Sequence, residues 1–212
     1  MDKSKFNCVE YFPKILDSYH DKIINTIYQN RENATYSHKT NGRWENQYLN
    51  IKYFPELRKL FRTGCQEGKA ILEKSLVVPY KELRLPMDEF WFNIAGPGES
   101  TGWHDHKERS ELSGVYYLHV PDNSGDIHFR KKIGDETFEW EIKSQTGKLI
   151  LFDSNIEHSV PENKSKEDRI SIAFNLFSLP LKIGSVNGVY SCLLYTSPSP
   201  RDVEESRMPS SA

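Results

Sequence analysis

The sequence predicts a mainly β protein, an antiparallel sandwich or barrel with two N-terminal helices packed on it. Three observations lead there. After Pro79 the chain is a series of short β-rich runs separated by Gly, Pro, Asn and Asp. No helical period interrupts those runs, which argues against a parallel α/β sheet. Before Pro79, two stretches carry apolar residues at spacings of three and four, the period of a helix with one buried face.

The first helical stretch runs from Pro13 to Asn30, with Ile15, Leu16, Tyr19, Ile23, Ile24, Ile27 and Tyr28 on its apolar face. Pro13 suits a first helical position, where its missing N–H costs nothing. The segment from Arg31 to Asn50 is polar, with Asn41-Gly42 as a turn. A second helix follows Pro55, with Leu57, Leu60, Phe61, Ala70, Ile71 and Leu72 as its apolar face. Gly64 and Gly68 lie inside it and lower its propensity. The expected strands are EFWFNIA, LSGVYYLHV, GDIHFRKK, ETFEWEIK, GKLILFD and RISIAFNLF. In the fourth, Phe138, Trp140 and Ile142 alternate with Glu139, Glu141 and Lys143, a half-exposed strand. The expected organisation is an N-terminal helical extension over 1–79, a β-core over 80–190 and a disordered tail over 191–212.

The 212 residues suit one domain with a sizeable core. Apolar residues make up 37% and the formal charge is -2, so the chain is globular and offers no electrostatic case for nucleic acid or an anionic membrane. No apolar run is long enough to span a bilayer, and the first residues lack the apolar core of a signal peptide. Cys8, Cys65 and Cys192 show no metal-ligand spacing and no even framework. A reducing, cytoplasmic setting follows. The sequence leaves the oligomeric state open, with a homodimer as one option.

From Cys192 the chain reads CLLYTSPSPRDVEESRMPSSA, with no hydrophobic period. It looks like an in-frame translation of a transposon-type sequencing adapter, with Val203, Glu204 and Glu205 as the index. The expectation is a natural chain cut off near Tyr190 or Ser191, and the tail is set aside from fold reasoning.

The chemistry concentrates in GWHDHKERSELSGVYYL, from Gly102 to Leu118. Side chains two apart on an extended backbone share a face, so His104 and His106 can reach one ion. His158 follows the apolar run LILFD, at the end of that strand or in the loop beyond it. Two histidines at i and i+2 with a distant third form a common metal-site pattern. The remaining histidines read as surface residues (His20, His38) or as structural ones in strand-like runs (His119, His128). Arg169 opens the strand RISIAFN and shares a face with Ser171, Ala173 and Asn175, while Ile170, Ile172 and Phe174 form the core face. A buried guanidinium needs an anion, either a ligand carboxylate held in two parallel hydrogen bonds with Ser171 adding a third, or an internal acid.

These residues resemble the Fe(II)- and 2-oxoglutarate-dependent dioxygenases, most closely a branch of oxygenases common in marine microbes and their viruses. The shared elements are Trp91 to Asn93, His104 to His106, Leu112 to Leu118, Ser124 to Phe129, Gly147 to Phe152, His158 to Val160 and Arg169 to Asn175. They keep their order from about Phe90 to Phe177. The resemblance implies a double-stranded β-helix, or jelly roll, with Fe(II) bound by His104 and His158. It implies that Arg169, assisted by Ser171 and Tyr117, binds the distal carboxylate of 2-oxoglutarate, with Asn93 a further contact to this co-substrate. It also implies that O2 is consumed and that an unidentified small-molecule or peptide substrate is hydroxylated.

One departure from the superfamily stands out. Most members place an acid two residues after the first histidine, where this chain has His106. The third ligand is then His106 itself, Asp105 through a kinked strand, or Glu108 if His106 opens the His-x-acid pair. Glu111 reads as a solvated rim charge. Two other functions fit part of the pattern: a three-histidine zinc hydrolase or lyase, and a non-catalytic jelly-roll binding protein. The zinc reading gives Arg169 and Ser171 no role, and retention of three ligands and the anion-binding arginine argues against the binding protein. Halogenation needs an open metal position where His106 stands. Trp44, Tyr48 and Tyr53 are candidates for a lid or for packing.

Overall fold

The computed structural model describes residues 6–37, 39–40, 43–44, 46–85, 87–106, 110–182 and 189–190. Lys107, Glu108 and Arg109, His38 and the tail 191–212 lie outside the described residues. The chain divides into two compact units, Met1–Ser178 and Leu179–Ala212.

In the first unit the chain opens with β1 (Val9–Tyr11), α1 (His20–Gln29), β2 (Thr35–Tyr36), β3 (Lys39–Thr40), β4 (Arg43–Trp44), β5 (Gln47–Tyr48), α2 (Leu57–Leu72) and β6 (Leu76–Val77). It continues through β7 (Phe90–Ala95), β8 (Thr101–His104), β9 (Leu112–His119), β10 (Ile127–Ile133) and β11 (Glu136–Ile142). It closes with β12 (Leu149–Asp153), β13 (Glu157–Val160) and β14 (Arg169–Ser178). In the second unit β15 (Leu181–Lys182) pairs antiparallel with β16 (Val189–Tyr190).

Two antiparallel sheets hold the site. The larger runs β1-β12-β9-β14-β7-β5-β2, with β6 on the end of β14; the smaller runs β11-β10-β13-β8. Strand alternation in β9 and β14 gives each sheet face its chemistry. Leu112, Tyr116, Leu118, Ile170, Ile172, Phe174 and Leu176 face the helices in one apolar cluster. Val115, Tyr117, Ile150 and Phe152 of the large sheet meet Ile127, Phe129 and Ile142 of the small sheet in a second cluster. This mainly β, two-sheet architecture is the jelly roll that the sequence implies.

The N-terminal region is more than a helical extension, because β1 pairs with β12 and β5 pairs with β7. α1 begins at His20, after a 3-10 turn over Asp17–Tyr19, and not at Pro13. The chain leaves β1 at Tyr11 and turns before it can wind, burying Leu16 completely. In α2 the buried face runs through Leu57, Leu60, Phe61, Gly64 and Gly68, while Ala70 faces solvent. The glycines that weaken the helix in sequence are what seats it. A Cβ at Gly68 would stand 2.6 Å from Leu76 Cδ1, and one at Gly64 would stand 2.9 Å from the Phe174 ring. β8 and β13, unrecognised in sequence as strands in their own right, carry His104 and His158. Among the described residues no helix is long and apolar enough to cross a membrane.

Candidate metal centre and anion pocket

β8 and β13 are neighbours in the small sheet, with His104 directly opposite His158. That register places the two imidazoles across one strand pair, their ring centroids 4.2 Å apart. His106 lies two residues past the end of β8, and its backbone N–H donates to the Ser154 carbonyl (2.9 Å). Its ring stands 5.5 Å from His104 and 5.3 Å from His158. One ring nitrogen from each histidine lies within 4.8 Å of the other two, a group able to hold a metal ion. Asp105 lines the same cavity, but its carboxylate is not in that group. Glu108, the other acidic alternative, lies outside the described residues.

The backbone sets the tautomers. His104 Nδ1 lies 2.9 Å from the Gly102 carbonyl, and His158 Nδ1 lies 3.1 Å from the Ile156 carbonyl. An N–H at Nδ1 donates there and leaves Nε2 as the free lone pair, the usual support of a metal-ligating histidine. Burial holds the His158 pKa well below its ordinary value, and the neighbouring His104 and His106 push it further down. The ring is therefore neutral, the form a metal requires.

Arg169 reaches into the same cavity from β14 and is 4% exposed. Its Nη1 donates to the Ser124 carbonyl (2.6 Å). Ser171, one step along the same face, is registered opposite both Asn93 on β7 and Tyr117 on β9. All four line one cavity of about 430 Å³ together with the three histidines. Tyr117 Oη and Asn93 Oδ1 are buried without a hydrogen-bond partner. Such orphans cost roughly 1–3 kcal/mol each unless a ligand satisfies them. Burial also pushes the Tyr117 pKa up to about 12, so its hydroxyl keeps its proton and can donate. The fold thus brings His104, His106, His158, Arg169, Ser171, Tyr117 and Asn93 into one cavity, while Glu108 lies outside the described residues.

Sequence reading misses the walls. Trp91 lines the cavity with its ring 5.6 Å from His106, and Phe152 packs 4.8 Å from His158. Trp103 stands at the rim, 39% exposed, with the Arg130 guanidinium 4.4 Å from its ring centroid. Arg130 is fixed in turn by two hydrogen bonds to Glu157 (2.8 and 2.9 Å). Period-two alternation around His104 and Trp91 was the available signal. Tyr48 packs toward Trp91 and Tyr53 toward Phe54, while the Trp44 side chain lies outside the described residues. The remaining described histidines have partners away from the cavity: His20 with Tyr116 (2.8 Å), His119 with Glu167 (3.1 Å) and His128 with Glu141 (3.5 Å). Glu111 pairs with Lys74 (3.1 Å) at the surface.

Comparison with known proteins shows what the chain is similar to. The family described as "Putative 2OG-Fe(II) oxygenase" matches residues 89–175. Among curated proteins there is no match. Of solved structures, the non-heme alpha ketoglutarate dependent carbocyclase SnoK from nogalamycin biosynthesis aligns with a TM-score of 0.63 at 12% identity, over 83% of this chain and 81% of that one. The epimerase SnoN, solved with Fe3+ and alpha ketoglutarate, gives a TM-score of 0.62 at 12% identity, over 84% of this chain and 81% of that one. A Pseudomonas putida prolyl-4-hydroxylase gives 0.51 at 16% identity, over 83% of this chain and 90% of that one. These likenesses confirm the fold, and the family match spans the three histidines, Arg169 and both walls of the cavity. Residues 89–175 are thus similar to the 2OG-Fe(II) oxygenases, over less than half of the chain, and the fold is that of alpha ketoglutarate dependent enzymes of known structure.

Proposed function

We propose that the protein is a hydroxylase in which His104, His106 and His158 hold Fe(II) while Arg169, Ser171, Tyr117 and Asn93 hold 2-oxoglutarate. One observation carries this reading. A three-imidazole cluster and a buried guanidinium share one cavity, and the cavity also holds a buried tyrosine hydroxyl without a hydrogen-bond partner. The donor set fits the groups. Imidazole suits iron, and a fixed guanidinium fork suits a carboxylate. When bound, iron with 2-oxoglutarate and O2 supplies the oxidising power that couples loss of CO2 to oxidation of a substrate C–H bond.

The chain's own residues do the rest. The Gly102 and Ile156 carbonyls hold two imidazoles with Nε2 toward the cavity. Arg169 neutralises the distal carboxylate, and Tyr117 donates its retained proton to the same group. Trp91, Val115 and Phe152 keep the space between the two centres apolar and restrict water. The zinc hydrolase reading leaves Arg169 and Tyr117 without a task, and the binding-protein reading leaves the three-histidine cluster without one. The substrate is a small molecule or a peptide rather than a nucleic acid or membrane, and the free thiols Cys8 and Cys65 suit a cytoplasmic enzyme.

Anaerobic addition of Fe(II) and 2-oxoglutarate, followed by visible absorption, tests the reading. A metal-to-ligand charge-transfer band that needs both additions supports it. Tight zinc binding with no band under iron and 2-oxoglutarate refutes it. Incorporation of one atom from labelled O2 into an alcohol product separates hydroxylation from the other oxidations this fold performs.

A further inference from the structure

The cavity has a second polar end. Along β14 the same face that opens with Arg169 ends in Asn175, six residues and about 20 Å of extended chain away. Asn175 and Ser113, registered opposite each other, both line the cavity and are 4% and 3% exposed. Asn175 Nδ2 donates to Glu89 Oε2 (2.9 Å), and its Oδ1 accepts from the Ser113 hydroxyl (3.0 Å). Ser113 Oγ is also 3.1 Å from Ser154 Oγ, and that hydroxyl lies 2.7 Å from Ser110 Oγ. Glu89 and Ser154 are buried as well. The chain of hydrogen bonds therefore fixes which way the Asn175 carboxamide points.

A carboxamide has two N–H donors and two acceptor lone pairs. Asn175 spends one of each on Glu89 and Ser113, which leaves one N–H and one lone pair uncommitted on a residue that lines the cavity. That pair is the complement of another amide, which offers the same two groups in reverse. A carboxylate would meet one donor and one repelling lone pair. An ammonium would leave the Asn175 N–H buried and unpaired. Between this end and the Arg169 end the wall is apolar, formed by Trp91, Val115 and Ala173 beside the histidines.

We propose that the Asn175 end binds an amide group of the primary substrate and that Asn175 is a specificity-determining residue. The inference rests on the reading that 2-oxoglutarate occupies the Arg169 end. The substrate then lies with its amide on Asn175 and an apolar C–H segment against Trp91, facing the three histidines.

Saturation-transfer NMR on the full chain, loaded with Zn(II) and saturated with 2-oxoglutarate, tests this with three probes. They are propionamide for a free carboxamide, N-acetylalanine N-methylamide for a peptide unit, and propionate as the isosteric acid. The expected result is saturation of an amide probe and none of propionate, with the stronger amide probe identifying its source. Asn175→Leu should weaken amide binding about tenfold, the loss of two neutral hydrogen bonds, with 2-oxoglutarate affinity unchanged. Ser113→Ala, a milder change should the first variant fail to fold, should weaken it several-fold by freeing the carboxamide to rotate. Equal binding of propionate, or amide binding indifferent to both substitutions, overturns the inference while leaving the oxygenase reading intact. Failure of 2-oxoglutarate itself to bind overturns that reading and this inference with it.

Discussion

The two ends of the cavity are built on the same strands and carry different chemistry. Along the inner face of β14 the residues run Arg169, Ser171, Ala173, Asn175, each one pleat further on. Their partners on the antiparallel β9 descend in step, with Tyr117 opposite Ser171, Val115 opposite Ala173 and Ser113 opposite Asn175. One end concentrates a buried cation and orphaned polar groups. The other is neutral at its surface, with its hydrogen bonds spent on its own network. A site with unmet polar groups awaits a specific ligand. A site whose groups are mostly paired is rigid and chooses among neutral ones. The apolar step at Ala173 and Val115 separates the two, beside the histidines.

The largest way to break the contrast is at its charged end. Arg169→Met should weaken 2-oxoglutarate binding roughly a hundredfold or more, since a desolvated charge pair is worth about 3–5 kcal/mol to truncation. Calorimetric titration of 2-oxoglutarate into the metal-loaded protein measures this, and Fe(II) affinity should change little. A loss shared equally by metal and 2-oxoglutarate would erase the separation of the two ends. Next comes the centre between them. His106→Ala should lower Fe(II) affinity by about ten- to a hundredfold, whereas Asp105→Asn should not; a competing chelator reads both. The reverse order would make Asp105 the third ligand.

Smaller changes sharpen the comparison. Ser154 is 1% exposed and uses its carbonyl on His106 N–H, its N–H on the Glu111 carbonyl and its hydroxyl on Ser110 and Ser113. Ser154→Ala should cost about 1 kcal/mol of stability in denaturant unfolding, because the half-buried Ser110 hydroxyl loses its partner and Ser113 keeps only Asn175. Tyr117→Phe should weaken 2-oxoglutarate only several-fold, the worth of one hydrogen bond that a charged acceptor strengthens. The smallest effect is on pH. The His158 pKa is depressed in the folded protein, so the unfolded chain binds more protons below about pH 6.5. The metal-free protein should therefore lose stability as pH falls through that value, seen as a falling Tm. Addition of Zn(II) should shift the loss to lower pH.

Much of this site was legible in the sequence. Strict alternation in RISIAFN separated the cavity face of β14 from its core face, because the side-chain period of a strand does not depend on what the strand packs against. The pairing of His104 with a distant His158 was legible as chemistry, but their direct register across β8 and β13 was not. Both strands are only four residues long. The helix α2 shows the limit from the other side. Gly64 and Gly68 count against a helix in any local scale, yet the contact with Phe174 and Leu76 demands residues without side chains there. Asn175 was visible on the Arg169 face but carried no meaning until Glu89 and Ser113 were seen to fix its carboxamide.

By itself the sequence determined the class of fold, the faces of the long strands and the types of ligand present. These depend on periodicity and residue chemistry, which are local. Only the tertiary structure decided that His106 and not Asp105 joins the other two histidines, that the buried Tyr117 and Asn93 oxygens lack hydrogen bonds, and that one cavity has a cationic and a neutral end. Those are matters of which distant residues share a few ångströms, and only the packing of one sheet on the other sets that.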